Sequence, residues 1–227
     1  MNRVIPFLLG GVFLAAIALF ILPWVLFFNT EPFAGKLFFA VFFSFVALEK
    51  VWSTFFKMRK RVTAEAKHDW TTVSVGYSYT AVWYVALFHY FWYLQSDINL
   101  YVVIIGILIY LVSIALRYWI LYHLGHQWTV HVDEKIDNRH LVTTGPYRYA
   151  RHPLYAEAFL EAVGIAMALG SLPALLIALL LFIPLETHRA YFEERYLKKI
   201  FGNDYIEYSR RTWAFFPLPF GKKKKET

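Results

Sequence analysis

Four long apolar runs, at about 4–28, 33–56, 75–94 and 98–122, constrain this chain more than any other feature. As a helix rising 1.5 Å per residue, each can cross a hydrocarbon core of roughly 30 Å. In hydrocarbon a backbone must satisfy its own polar groups, which helices do within one segment. Composition points the same way: 59% of the residues are hydrophobic and only 17% charged, against roughly 25% charged in an ordinary soluble domain. The first run is too long for a signal-peptide core. Asn29-Thr30-Glu31-Pro32 follows it instead of a small-residue cleavage site, so it reads as a retained helix. The expectation is an all-α, polytopic integral membrane protein.

Loop charge sets the orientation. Lys57, Arg59, Lys60, Arg61 and Lys67 lie between the second and third runs and mark that loop as cytoplasmic. Two crossings later the chain is back on the same side, so the segment from about 125 to 151 is cytoplasmic as well. Arg3 and the lysines at 222–225 agree and put both termini inside. The net charge of +7 reads as positive cytoplasmic loops rather than a nucleic-acid surface. Two further helices, about 154–170 and 173–200, are broken by Gly170-Ser171-Leu172-Pro173. The first is short for a span, which allows a tilted hairpin, and the second outlasts its apolar part and emerges into the cytoplasm. The count is thus about five to six transmembrane helices, with a cytoplasmic cofactor-binding loop and a C-terminal helix. The chain divides into 1–123 (N-terminal helices), 124–220 (a catalytic core) and 221–227 (a basic tail). Lys224-Lys225-Glu226-Thr227 reads either as a basic tail on an anionic leaflet or as a dilysine retrieval signal.

Chemistry concentrates after position 124. Cysteine is absent, which excludes disulfides, thiolate zinc sites and thiol nucleophiles. His123, His126, His131, His140 and His152 cluster in sequence, but without compact ligand spacing, so no metal is expected. In Gly145-Pro146-Tyr147-Arg148-Tyr149-Ala150-Arg151-His152-Pro153-Leu154-Tyr155, Pro153 suits the first position of a helix capped by His152. A helix start offers unpaired N–H groups and a partial positive charge. With Arg148 and Arg151 beside it, it reads as an anion site or as positive-inside arginines before a span. Glu186, Arg189 and Glu193 share one helix face by their spacing, and Glu157 and Glu161 share another. Each set reads as a cavity wall or as a structural ion pair. Glu194, Arg195, Lys198 and Lys199 read as a solvated face, and Arg117 as a snorkelling residue near a span end.

Asp133-Glu134-Lys135, Leu141-Val142-Thr143-Thr144-Gly145-Pro146-Tyr147, Arg151-His152-Pro153-Leu154-Tyr155, Glu193-Glu194 and Phe201-Gly202-Asn203-Asp204-Tyr205-Ile206-Glu207-Tyr208 together resemble the isoprenylcysteine carboxyl methyltransferase family in order and spacing. Related membrane methyltransferases act on phospholipid amines or small thiols. The resemblance covers roughly 125–217 and implies S-adenosylmethionine as cofactor. It implies cofactor contacts at Val132, Arg139, His140, Leu141, Val142, Tyr147, His152, Pro153, Leu154, Tyr155 and Glu193, and a substrate contact at Arg189. One departure stands out: Val132 replaces the glutamine of the eukaryotic prenylcysteine enzymes, and with it goes a side-chain amide contact.

The function expected is methyl transfer from S-adenosylmethionine to a lipophilic or prenylated acceptor, foremost a carboxylate such as that of prenylcysteine or an isoprenoid acid. A phospholipid amine and a small thiol are the alternatives. Further off stands a non-catalytic transporter or assembly factor with the glutamates lining a pathway. Partners expected are the acceptor and membrane lipid, with neither nucleic acid nor metal. A cysteine placed at Asp97 of this cysteine-free chain should react with an impermeant maleimide only from the non-cytoplasmic side. Labelling solely from the cytoplasm would overturn the topology.

Overall fold

The computed structural model describes residues 41, 44–46, 48, 70–93, 99–125 and 140–217. Among these the regular structure is helical, with no strand beyond one isolated bridge between Ala150 and Trp213. We label the helices α1 (Trp70–Tyr93), α2 (Leu100–Leu124), α3 (Pro153–Ala168) and α4 (Leu172–Arg211). A single 3-10 turn, Gly145–Arg148, precedes α3. The expected runs 4–28 and 33–56 lie outside the described residues, apart from a few positions in the second. Of the described helices, α2 and α4 are long and apolar enough to cross a membrane.

The ends of the helices follow from local chemistry. Asn99 caps α2, its side-chain oxygen accepting the N–H of Tyr101 at 3.0 Å. Pro153 and Pro173 sit in the first turns of α3 and α4, where the missing N–H costs nothing. Gly170, at φ +61°, ends α3. The N–H of Ser171 reaches the Ala166 carbonyl at 2.8 Å and that of Gly170 the Met167 carbonyl at 2.9 Å, a Schellman closure. Ser171 then caps the next helix through Oγ, which accepts from the N–H of Ala174. One short segment therefore both stops α3 and starts α4, which folds the pair into the expected hairpin.

Helix α4 is longer than the 173–200 read from the sequence. It runs Leu172–Ile177, loosens into a π-helical turn at Ala178–Phe182, and resumes over Ile183–Arg211. At Gly202 the backbone turns to φ +54°, ψ −126°, a conformation that only glycine adopts readily, and the helix bends there. The apolar first half presents Leu172, Leu176, Leu179, Leu180 and Leu181 outward, as α2 presents Leu100, Ile104, Ile105, Leu108 and Val112. Exposed apolar belts of this kind suit hydrocarbon rather than water. The core lies inside them, where Val82, Ala86, Leu87 and Tyr90 of α1 meet Phe159, Ala162 and Ile165 of α3, Leu169 just after it, and Ala174, Ala178 and Phe182 of α4.

The closest approach is between α2 and α3, which run antiparallel. A Cβ built on Gly106 would lie 2.3 Å from the backbone nitrogen of Ala168, and one on Gly164 would lie 2.8 Å from that of Tyr110. Small residues let two backbones meet this way in an apolar medium, where packing rather than water drives helix association. The same register brings Arg117 level with Glu157 and Glu161, two turns along α3. Gly106→Ala and Gly164→Ala should each cost about 1–3 kcal/mol, the range for overpacking, because backbone rather than a flexible side chain must move. Gly202→Ala meets nothing within 4 Å but forces an L side chain onto φ +54°, ψ −126°, a backbone that costs roughly 1–3 kcal/mol. Thermal unfolding in detergent should place both interface variants below wild type; unchanged midpoints would remove the close contact as a stabilising feature.

Candidate active site

A cavity of about 460 Å³ opens between the four helices and the loop before α3. Its α4 wall is one helix face at spacings of three and four: Phe182, Glu186, Arg189, Glu193, Leu197, Phe201, Tyr205 and Tyr208. The loop contributes His140, Leu141, Val142 and Tyr147, and the start of α3 contributes His152, Pro153, Leu154 and Tyr155. Tyr79, Arg117, Glu157 and Glu161 form the floor. Ten of the twelve residues that the resemblance implied thus surround one space, Arg189 among them. The other two, Val132 and Arg139, lie outside the described residues.

The floor corrects the snorkelling reading of Arg117. Its side chain does not reach for an interface: it is only 8% exposed. It donates to Glu157 at 2.6 Å and to Glu161. Both glutamates are 2% exposed, and Tyr79 donates its hydroxyl to Glu161 at 2.7 Å. Charges removed from water this far are tolerated when paired and hydrogen-bonded, and removing one partner is expensive. The paired glutamates of α3 are therefore ion-pair partners and cavity floor at once.

At the polar end, three chain segments meet around Arg151 and His152. Residues 213 and 214 fold back alongside them, so that the N–H groups of Arg151 and His152 donate to the carbonyls of Trp213 and Ala214, each at 2.8 Å. Arg151 donates to Glu194 at 2.7 Å and to the carbonyls of Ser209 and Thr212 at 3.0 and 2.6 Å. It therefore covers the C-terminal end of α4, and its charge is spent on structure rather than on an anion. The Tyr208 hydroxyl donates to the Tyr147 carbonyl at 2.7 Å and ties the loop to α4. Glu194 is also corrected: it faces inward to Arg151 and His152, whereas Arg195, Lys198 and Lys199 are exposed as expected.

His152 stands between two carboxylates, Nδ1 at 3.6 Å from Glu193 and Nε2 at 3.3 Å from Glu194. Burial alone would lower its pKa, but the two carboxylates outweigh burial and hold it above the usual 6.5. Burial likewise works to raise Glu193, yet His152, the Tyr155 hydroxyl and Arg189 keep its carboxyl below the ordinary range. The bond to His152 brings Glu194 down to about 2, with Arg151 assisting against burial. In the sequence Tyr205 and Tyr208 stand out only as part of the motif at 201–208, and nothing local marks them as cavity residues. Tyr205 is 1% exposed, and its hydroxyl is buried without a hydrogen-bond partner. Their spacing from Glu193, continued along the same helix face, was the available signal.

Comparison with known proteins falls on this part of the chain. Residues 101–204 match the sequence profile of the phospholipid methyltransferase family. The chain is 35% identical over 95 residues to a protein-S-isoprenylcysteine O-methyltransferase of Schizosaccharomyces pombe, covering 41% of this chain and 40% of that one. It is 30% identical over 116 residues to the Saccharomyces cerevisiae protein of the same name, 51% of this chain and 48% of that one. It is also 36% identical over 93 residues, covering 41% and 43%, to the cobalt-zinc-cadmium resistance protein CzcN of Cupriavidus metallidurans. These alignments span less than half the length of each relative. In three dimensions it is similar to a eukaryotic intramembrane Ras methyltransferase, an isoprenylcysteine carboxyl methyltransferase. The TM-score is 0.50 at 21% identity, over 99% of this chain and 89% of that one, a likeness of fold. The resemblance to that family read from 125–217 is borne out in sequence and in fold.

The carboxylate–imidazole–carboxylate arrangement has a signed consequence. His152, raised in the fold, stabilises it most below pH 6.5 and loses that contribution as pH climbs through its elevated folded pKa. Glu194, lowered, contributes above its usual 4.5 and fails only as pH falls toward about 2. Thermal midpoints in detergent should therefore decline on the alkaline side of neutrality, and His152→Asn should flatten that decline. An unchanged alkaline slope in the variant would mean that His152 is neutral in the fold.

Proposed function

We propose that the protein is a multi-pass membrane methyltransferase, moving a methyl group from S-adenosylmethionine to a lipophilic carboxylate of the prenylcysteine or isoprenoid-acid kind. One observation carries this reading: a single cavity joins the polar half of α4 to an ion-lined floor between apolar helices. A polar cofactor and a lipophilic acceptor can meet there, each from its own medium. On this reading the cofactor end faces the cytoplasm, following the basic stretch at 57–67. The yeast relatives bear the name of the same reaction on isoprenylcysteine. The family profile, named for phospholipids, favours a phospholipid amine as the second reading.

The residues fit the cofactor. The first-turn N–H groups of α3, at Leu154 and Tyr155, suit its carboxylate. Glu193 can accept from its ammonium or from a ribose hydroxyl, and Leu141, Val142 and Tyr147 offer a wall for the adenine. Tyr205 supplies a buried hydroxyl that lacks a partner. When bound, S-adenosylmethionine provides a methyl group on a sulfonium centre. The group would supply an electrophilic methyl to an acceptor carboxylate held by Arg189, with the sulfur keeping the electron pair of the bond given up. No proton moves and no metal is required. Opposite charges neutralise along the way, so a site walled from water favours the step, and alignment supplies much of the rest.

Arg189 is the residue we assign to the acceptor. It stands one turn before Glu193 on the cavity face, and its planar fork matches a carboxylate. Arg189→Ala should lower radiolabelled methyl transfer on the order of 100-fold or more, with little change in calorimetric affinity for S-adenosylhomocysteine. Arg189→Lys should rescue poorly, and Glu193→Ala should first weaken cofactor binding. Absence of any calorimetric signal with S-adenosylmethionine or S-adenosylhomocysteine would sink the proposal.

A further inference from the structure

His123 is not one of the residues lining the cavity, yet it stands against the loop that forms one of its walls. It lies in the last turn of α2. Its Nδ1 is 2.9 Å from the carbonyl of Trp119. A carbonyl only accepts, so that nitrogen carries the hydrogen. Trp119 and Tyr122 meet the ring edge-on, at centroid distances of 6.1 and 5.3 Å. A ring held by these three contacts is a fixed surface rather than a freely turning side chain.

That surface lies against Gly145, the first residue of the 3-10 turn. A Cβ built on Gly145 would fall 2.5 Å from both Cγ and Nε2 of the ring, closer than a real Cβ contact can be. The backbone there stands at φ +58°, which residues bearing a side chain seldom adopt. Space and dihedral thus each require glycine, and the ring occupies the place a side chain would take. The turn that starts here carries Tyr147 into the cavity wall, beside Leu141 and Val142. Tyr208 of α4 holds the Tyr147 carbonyl at 2.7 Å. The turn is therefore gripped between a hydroxyl of α4 and a ring of α2.

We propose that His123 is a positioning residue for the cofactor: its ring sets where the turn at Gly145 rests, and through it where Leu141, Val142 and Tyr147 stand against the adenine. This rests on the reading of the cavity as an S-adenosylmethionine site. Without the ring the turn can settle toward α2, and a pre-formed apolar wall becomes one that must be ordered on binding. The effect belongs to binding rather than to the transfer step. Arg189 and Glu193 are carried by α4 and do not lean on His123.

The test uses the full-length protein in nanodiscs. It compares the calorimetric Kd for S-adenosylhomocysteine, kcat and KM for S-adenosylmethionine in radiolabelled transfer to N-acetyl-S-farnesylcysteine, and the thermal midpoint of the cofactor-free protein. His123→Ala should raise Kd and KM together by on the order of three- to a hundredfold, the range over which contacting residues couple. Its kcat at saturating cofactor and its midpoint should stay near wild type. His123→Phe, a flat ring of similar breadth, should restore most of the affinity. Gly145→Ala should weaken binding more than His123→Ala, since its Cβ strikes the ring from a strained backbone. Adding His123→Ala to Gly145→Ala should weaken it no further, because the obstacle is gone. Wild-type affinity in His123→Ala overturns the inference and leaves the methyltransferase reading intact. So does a midpoint that falls in step with affinity, which makes the ring merely structural, and so do effects of the two substitutions that simply add. If wild type gives no heat with S-adenosylhomocysteine, the cofactor reading fails and the inference falls with it.

Discussion

The contact between Gly106 and Gly164 sets the register on which the rest of the site depends. Position 106 lies against 168 and 110 against 164, and the same antiparallel register carried two turns further brings Arg117 to Glu157. Larger residues at the crossing would separate the helices and pull the guanidinium away from its carboxylates. The cost would then be more than lost packing, because three ionisable groups would stand unpaired among apolar helices. The glycines make the ion cluster possible, and the cluster in turn penalises any other register. Apolar packing alone permits neighbouring registers at similar energy; a buried charged triad does not.

A second constraint acts at the opposite end of the cavity. Arg151 holds the tail of α4, His152 links its two consecutive glutamates, and the segment after α4 closes back onto the start of α3. Without these ties the polar half of α4 would project into water as an isolated helix, and isolated helices are marginal. With them, α4 becomes a rigid rail whose single inward face runs from Phe182 to Tyr208. The bend at Gly202 lets the last turns lean back over the loop, so that Tyr208 reaches the Tyr147 carbonyl.

Helix positions were legible because hydrophobic runs and punctuation report on the local chain. The third and fourth runs match α1 and α2 within a few residues, and Gly170-Ser171-Leu172-Pro173 marked the break between α3 and α4. The residues that gather around the cavity were legible because they stand in one contiguous motif and along one helix face. Partners were not. Arg117 meets carboxylates 40 and 44 residues away, and Glu194 meets Arg151 43 residues away. Periodicity assigns a charge to a face but is silent about which other face it meets. Both errors ran toward solvent for that reason, since an unpaired reading of any charge defaults to water. The far end of α4 escaped because its sequence from Glu193 onward is polar, and only the continuation of spacing through Leu197, Phe201 and Tyr205 showed it still lining a cavity.

Along α4 the charges alternate, carboxylate, guanidinium, carboxylate, at Glu186, Arg189 and Glu193. The order matters for the proposed reaction. A cation flanked on both sides by carboxylates attracts an anion only within its own turn of helix, because a step in either direction meets repulsion. On the proposed reading, Glu193 would turn an acceptor carboxylate away from the polar end, where a donor-rich cofactor is favoured. The acceptor carboxylate is, on the same reading, thereby confined to the level of Arg189. On that reading, one helix face supplies both the position and the polarity that an in-line transfer between two dissimilar ligands requires.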